Sequence, residues 1–301
     1  MILYAALKGD IMIRIPEFLK LEITRDCNLE CAHCYRGEKE TKYMSLETID
    51  KVFKDVGEIT CLMVAGGEPF LAIEQLERIY EQIKNNDIQV EVMLVKTNCT
   101  IMNDRVAEVL AKLSKVVGNL YVTTMDDPFR RMEVIDKGLK ENVNNAAIYL
   151  EENNYLRVVY ENYPYKSIYK VGKAAQLTDE DIKRANEIKT CSTEFELVDD
   201  SPYYDSRGRY NSPHVKDDTI YRTVYITVDG NICNFTPHFH TYEQIDNMIE
   251  GNIKDYDNIL DAVNGTNISV IEKMIADKSL EEFRESLIEE RDRLKTLLKR
   301  R

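Results

Sequence analysis

The chain opens its readable pattern at residues 18–24, where apolar and polar positions alternate with the period of a strand. Ser45 then stands before an apolar spacing of Leu46, Ile49, Val52 and Phe53, which predicts a capped helix. A short apolar run at 60–65 predicts a second strand, ended by Gly66-Gly67-Glu68-Pro69, and a helix follows over about 73–83. A third strand is expected at 90–95, a turn at Thr97-Asn98, and a helix capped by Asn103. A fourth strand at 120–124 runs out at Asp126-Asp127-Pro128, with a helix near 143–152 and a strand at 155–160 after it.

Strand and helix therefore alternate from about residue 18 to 187, which favours a parallel sheet with crossover helices. Functional loops of such folds sit at the carboxyl ends of the strands. The chemically distinctive segments fall at those ends: cysteines after the first strand, Gly-Gly-Glu-Pro after the second, Thr97-Asn98 after the third and Asp126-Asp127 after the fourth. Past residue 190 the pattern changes. Residues 199–218 are rich in Asp, Ser, Pro, Tyr, Arg and Gly and read as a linker. Residues 221–228 alternate again and turn at Asp229-Gly230, a hairpin signal. Capping boxes at Ser269/Glu272 and Ser279/Glu282, with a stripe of Leu280, Phe283, Leu287, Leu294 and Leu298, predict packed C-terminal helices.

Composition narrows the function class. The 301 residues are 44% hydrophobic and carry a net charge of −13, which disfavours binding nucleic acid through counterion release. No apolar run approaches the roughly 20 residues needed to span a bilayer, and the first 15 residues do not read as a signal peptide. Seven cysteines, three of them crowded into residues 27–34, point to metal or cluster ligation in a reducing cytoplasm more than to disulfides.

Those three, Cys27, Cys31 and Cys34, have the spacing C-x3-C-x2-C. Thiolates bind iron–sulfur clusters strongly, and three of them leave one iron of a cubane open for substrate chemistry. The same residues also suit a zinc site of three cysteines with His33, or a non-catalytic iron–sulfur interaction module. The cysteine spacing directly after a strand, with Gly66-Gly67-Glu68-Pro69 after the next one, resembles the radical S-adenosylmethionine (SAM) superfamily; His33 fills a position usually aromatic there.

The resemblance implies a partial (β/α)6 barrel with compressed later units, taken as residues 1–195, and a small α+β extension at 196–301. It implies a [4Fe-4S] cluster on Cys27, Cys31 and Cys34, with SAM on the fourth iron. It also implies reductive cleavage of SAM to a 5′-deoxyadenosyl radical that takes hydrogen from a substrate. Gly66, Gly67, Glu68 and Pro69 correspond to a segment that binds the SAM ammonium group; Thr97 and Asn98 to a ribose or carboxylate contact; Thr124 and Asp126 to a stretch near SAM and substrate; Lys173, in Gly172-Lys173-Ala174, to a segment near the adenine.

Residues 226–233 and 251–253 resemble part of the SPASM or twitch extension of peptide-modifying members, but only Cys191 and Cys233 remain there, too few for an all-cysteine auxiliary cluster. Cys233 is open to three readings: an inert thiol, a ligand with His238 and His240, or a hydrogen donor to a substrate radical. The expected substrate is a peptide or protein, with a small molecule or nucleoside as the alternative. The expected reductant is a flavodoxin or ferredoxin.

Overall fold

The structure is a computed structural model that describes residues 18–160, 171–187, 223–233, 241–247, 249 and 251–262. Five parallel strands, β1 (Phe18–Thr24), β2 (Glu58–Gly66), β3 (Gln89–Lys96), β4 (Asn119–Asp126) and β5 (Leu156–Tyr160), pair in chain order. Between them run α1 (Leu46–Phe53), α2 (Ile73–Asn85), α3 (Asp104–Leu113), α4 (Pro128–Asp136) and α5 (Lys140–Glu152). The caps read from the sequence are made: Ser45 accepts from Thr48 N and Asn103 from Val106 N.

Beyond β1 the sheet continues with β6 (Thr223–Ile226), which is parallel to it, then antiparallel β7 (Asn231–Cys233) and β8 (Gly251–Asn252). The full order is β5-β4-β3-β2-β1-β6-β7-β8. The hairpin read with its turn at Asp229-Gly230 is thus present over 223–233, and it joins the main sheet. Among the described residues the sixth parallel strand comes from this segment and lies beside β1, so β5 forms the opposite edge. The C-terminal helices, the 199–218 linker, Cys191, His238 and His240 lie outside the described residues.

One face of the sheet carries the main core. Leu19, Leu21 and Ile23 of β1, with Leu62, Val64 and Val95, pack on Ile49, Val52 and Phe53 of α1, Leu76 and Ile79 of α2, and Val109 and Leu110 of α3. The opposite face has a smaller apolar cluster of Phe18, Cys61, Met63, Val92 and Leu94. The alternation in β1 suggests one wet face, yet all seven of its residues are buried. Pairing on both edges, with β2 and β6, makes β1 central, so Lys20, Glu22 and Thr24 are enclosed on the face away from α1–α3.

Arg25, directly after β1, is 1% exposed and ties the hairpin side to this face. Its guanidinium donates to Asp246 at 2.9 and 2.5 Å, to Glu22 at 3.2 Å and to Glu40 at 3.3 Å, and lies 4.5 Å from the Tyr242 ring centroid. Asp246 and Tyr242 belong to α7 (Tyr242–Asp246), which follows α6 (Asp179–Glu187) in the chain. A buried cation with this many acceptors fixes the exit angle of the chain into residues 26–39.

Candidate active site at the carboxyl end of the sheet

The three cysteines sit on a loop closed at its base. Arg25 N donates to Lys42 O, Glu40 N to Arg25 O, Met44 N to Ile23 O and Thr24 Oγ1 to Lys42 O, so residues 40–44 return alongside the end of β1. Inside the loop Cys27 N donates to Asp26 Oδ1 and Cys34 N to Cys31 O. All three thiols are half-buried. Burial pushes the Cys27 thiol up and Cys31 up to about 12, so a thiolate at Cys31 needs a bound cation beside it. Among the described residues no three His, Cys, Asp or Glu side chains converge on a single metal ion. A cubane does not require convergence, because each cysteine binds a different iron.

The end of β2 lies flat against this loop. Gly67 N donates to Thr24 O at 2.9 Å and Glu68 N to Asp26 O at 2.8 Å. A Cβ at Gly66 would fall on the Thr24 carbonyl oxygen, and one at Gly67 on that of Asp26. Both glycines are therefore required by backbone packed on backbone. Glu68 is fully buried, and its carboxylate accepts from Phe70 N at 3.0 Å, Thr97 Oγ1 at 2.7 Å and Asn98 N at 2.7 Å. Burial raises its pKa against those donors. The Glu68 side chain thus holds the turn after β3, and Pro69 starts a short 3-10 turn.

That turn reaches the cysteine loop. Asn98 Nδ2 points at Cys27 Sγ from 3.8 Å and donates to Asn28 Oδ1 at 2.9 Å; Asn28 Nδ2 donates to Thr100 Oγ1 at 2.7 Å, and Thr100 donates back to Asn98. Lys173 is also brought in. Lys173 N donates to Cys34 O at 2.9 Å, and a Cβ at Gly172 (φ +62°) would meet the carbonyls of Cys34 and Tyr35. The Gly-Lys-Ala segment is a brace on the last cysteine, and its ammonium pairs with Glu38 at 3.0 Å.

The sequence reading passed over α4. Asp127 caps it by accepting from Arg130 N, with Pro128 in the first turn, and the Asp-Pro pair was the available signal. Its side chains grip the cysteine loop: Glu133 accepts from Glu30 N at 2.9 Å, Lys137 donates to Asn28 O at 3.1 Å, and the Phe129 ring stacks on His33 with centroids 5.3 Å apart. His33 Nε2 lies 3.2 Å from Asp127 Oδ1. Arg130 donates to Thr124 Oγ1 at 3.3 Å, and its charge acts on Cys27 and Cys31. Asp126 is the last residue of β4, paired with Tyr160. Cys233, by contrast, is buried in β7 with Tyr225 and Ile245.

Asp127 gives a pH prediction. Burial raises its pKa, but His33 and Arg130 outweigh this and hold it at about 2, below the ordinary 3.8. A depressed carboxyl stabilises the fold above its unfolded pKa and loses that contribution as pH falls through the folded one. The expected result is a loss of roughly 2 kcal/mol between pH 4 and pH 2 that Asp127→Asn abolishes, read by urea melts across that range.

The superfamily model described as "Radical SAM superfamily" matches residues 21–161. An uncharacterized protein of Methanocaldococcus jannaschii is 31% identical over 112 residues, covering 36% of this chain and 39% of that protein. A GTP 3′,8-cyclase of Clostridium perfringens is 31% identical over 135 residues, covering 41% of each. The chain thus spans about two fifths of the length of these curated relatives. Among solved structures, anSMEcpe with bound AdoMet and the Cp18Cys peptide is 15% identical, with 80% of this chain and 78% of that chain covered and a TM-score of 0.43; a TM-score this low assigns no substrate. With the motif loops gathered at one end of a parallel sheet, the radical SAM superfamily model matches this chain from β1 through β5, over residues 21–161.

Proposed function

We propose that this chain is a radical SAM enzyme in which Cys27, Cys31 and Cys34 hold a [4Fe-4S] cluster and leave one iron for SAM. The observation that carries the reading is the closed loop itself: three half-buried thiols held by the ends of β1, β2 and β3 at once. Held by Cys27, Cys31 and Cys34, the cluster would pass one electron from an external reductant to SAM, and SAM would supply the hydrogen-abstracting chemistry. The chain's part is to position and to exclude water. Asn98 and Asn28 fix the Cys27 side of the loop, and α4 and Lys173 fix the Cys31 and Cys34 side. His33, stacked on Phe129, screens one flank. With the Glu68 carboxylate spent on three protein donors, the acceptors offered to the SAM ammonium group by residues 66–69 are backbone carbonyls. Thr124 and Asp126, at the end of β4, stand where SAM and substrate meet.

The proposed substrate is a peptide or protein, supported by the SPASM-like pattern of residues 226–233 and its place in the sheet beside β1. A flavodoxin or ferredoxin is the proposed electron donor. A small-molecule or nucleoside substrate is the second reading, favoured by the cyclase relatives. The test is anaerobic reconstitution with iron and sulfide analysis, then dithionite and SAM. About four irons per chain and the release of 5′-deoxyadenosine and methionine are expected. Zinc without iron, or SAM left intact by a loaded and reduced protein, overturns the proposal.

A further inference from the structure

The face of the sheet opposite α1–α3 carries one residue that the fold does not explain. The strand registers align Tyr225, Lys20, Met63, Leu94 and Tyr121 in a single row across β6, β1, β2, β3 and β4. Lys20 stands in it between Tyr225 and Met63 and is 5% exposed. Its neighbours in the row and in the row beneath, Phe18, Cys61, Met63, Val92 and Leu94, are apolar. Its ammonium lies 5.1 Å from the Tyr225 ring centroid, and it has no hydrogen bond or ion pair with any described residue.

The nearest carboxylate on the same face is already committed. Glu22 accepts from Arg25 Nε at 3.2 Å, from Tyr225 OH at 2.9 Å and from Val228 N at 3.3 Å. The other charges acting strongly on Lys20 are cations, Lys96 and Arg36. Burial first, then these two, lowers the Lys20 pKa well below the ordinary lysine value. In a chain of net charge −13, a methionine or leucine would fill this position at lower cost. A buried lysine without a hydrogen-bond or ion-pair partner among the described residues marks a group kept for something outside the fold.

We infer that Lys20 is an anion-binding residue for the substrate, taking a carboxylate or phosphate group on the face of the sheet that leads up to the cysteine loop. The inference rests on the proposed radical SAM reading for what is done to that substrate. An acidic peptide and a nucleotide share this chemistry, and the two probes below separate them. The ring of Tyr225 and the apolar row leave the bound anion poorly solvated, which strengthens its attraction to Lys20.

The experiment uses the reconstituted protein under anaerobic conditions, with glutarate and pyrophosphate as probes. Brief acetylation of lysines is read residue by residue by peptide mass spectrometry, with the exposed Lys54 as internal reference. Lys20 is expected to label without a probe and to be protected at least about fivefold by one of them while Lys54 is unchanged. Protection by glutarate assigns a carboxylate substrate, and protection by pyrophosphate a phosphate. Lys20→Met is expected to melt no lower than wild type and to lose the rise in Tm that the protecting probe gives. A Lys20 that never labels, that neither probe protects, or whose replacement leaves the probe response intact overturns the inference. So does a Lys20→Met protein that melts lower than wild type, since that assigns the residue to the fold. Iron content and 5′-deoxyadenosine, assayed on the same wild-type preparation, report separately on the radical SAM reading.

Discussion

Cys31→Ala is expected to bring iron from about four per chain to below about one and to reduce 5′-deoxyadenosine formation to background, while the melting temperature of the metal-free protein moves little. The thiol is half-buried on a loop whose base is closed by backbone bonds between residues 23–25 and 40–44, so removing it leaves the frame standing. Its burial, which raises the free thiol to about 12, makes it a poor thiolate without metal and a committed ligand with it. Cys27→Ala and Cys34→Ala are expected to behave alike. Cys61→Ala is the control: it lies in the apolar cluster under the sheet, so its replacement costs stability and keeps the iron. A Cys31→Ala protein that retains four irons and cleaves SAM removes the triad from the mechanism.

The second large effect is Gly67→Ala. A methyl there would overlap the Asp26 carbonyl oxygen and approach the Asp26 carbonyl carbon to 2.6 Å, and these are backbone atoms that cannot swing aside. The end of β2 has to lift off the cysteine loop, with the loss of Gly67 N to Thr24 O and Glu68 N to Asp26 O. The expected cost is about 3 kcal/mol, a fall in Tm of about 6–10 °C, together with impaired cluster incorporation. Gly57→Ala supplies the contrast: nothing lies within 4 Å of a Cβ there, so a neutral or slightly stabilising change within about 1 kcal/mol is expected in the same thermal melts. Equal effects at the two positions refute the backbone-contact account of the Gly-Gly pair.

What was legible from the chain alone was whatever depends on neighbours in sequence. Period and caps placed β1 to β5, α1, α2, α3 and α5, because a strand's two-residue alternation and a helix's N-terminal acceptor are local properties. The cysteine spacing, Gly66-Gly67-Glu68-Pro69 and Thr97-Asn98 were legible for the same reason, since each is a short run at a strand end. The helix α4 was overlooked because Asp127-Pro128 reads equally as a turn until its side chains have something to hold.

Partners distant in sequence had to wait for the folded chain. The two glycines, open to reading as a ligand cradle, prove to be needed where β2 meets residues 24–26; Glu68 turns inward to Thr97 and Asn98; Lys173 braces Cys34; and α4 grips the loop through Glu133, Lys137 and Phe129. The alternation of β1 could not reveal that β6 would cover its second edge, and so that Lys20 and Glu22 would both be buried. A charge pattern in one strand states what that strand can offer. Whether the charge is answered depends on which strand arrives beside it, and here Glu22 meets Arg25, Tyr225 and Val228 while Lys20 lies against the face of the Tyr225 ring, with no hydrogen bond or ion pair among the described residues.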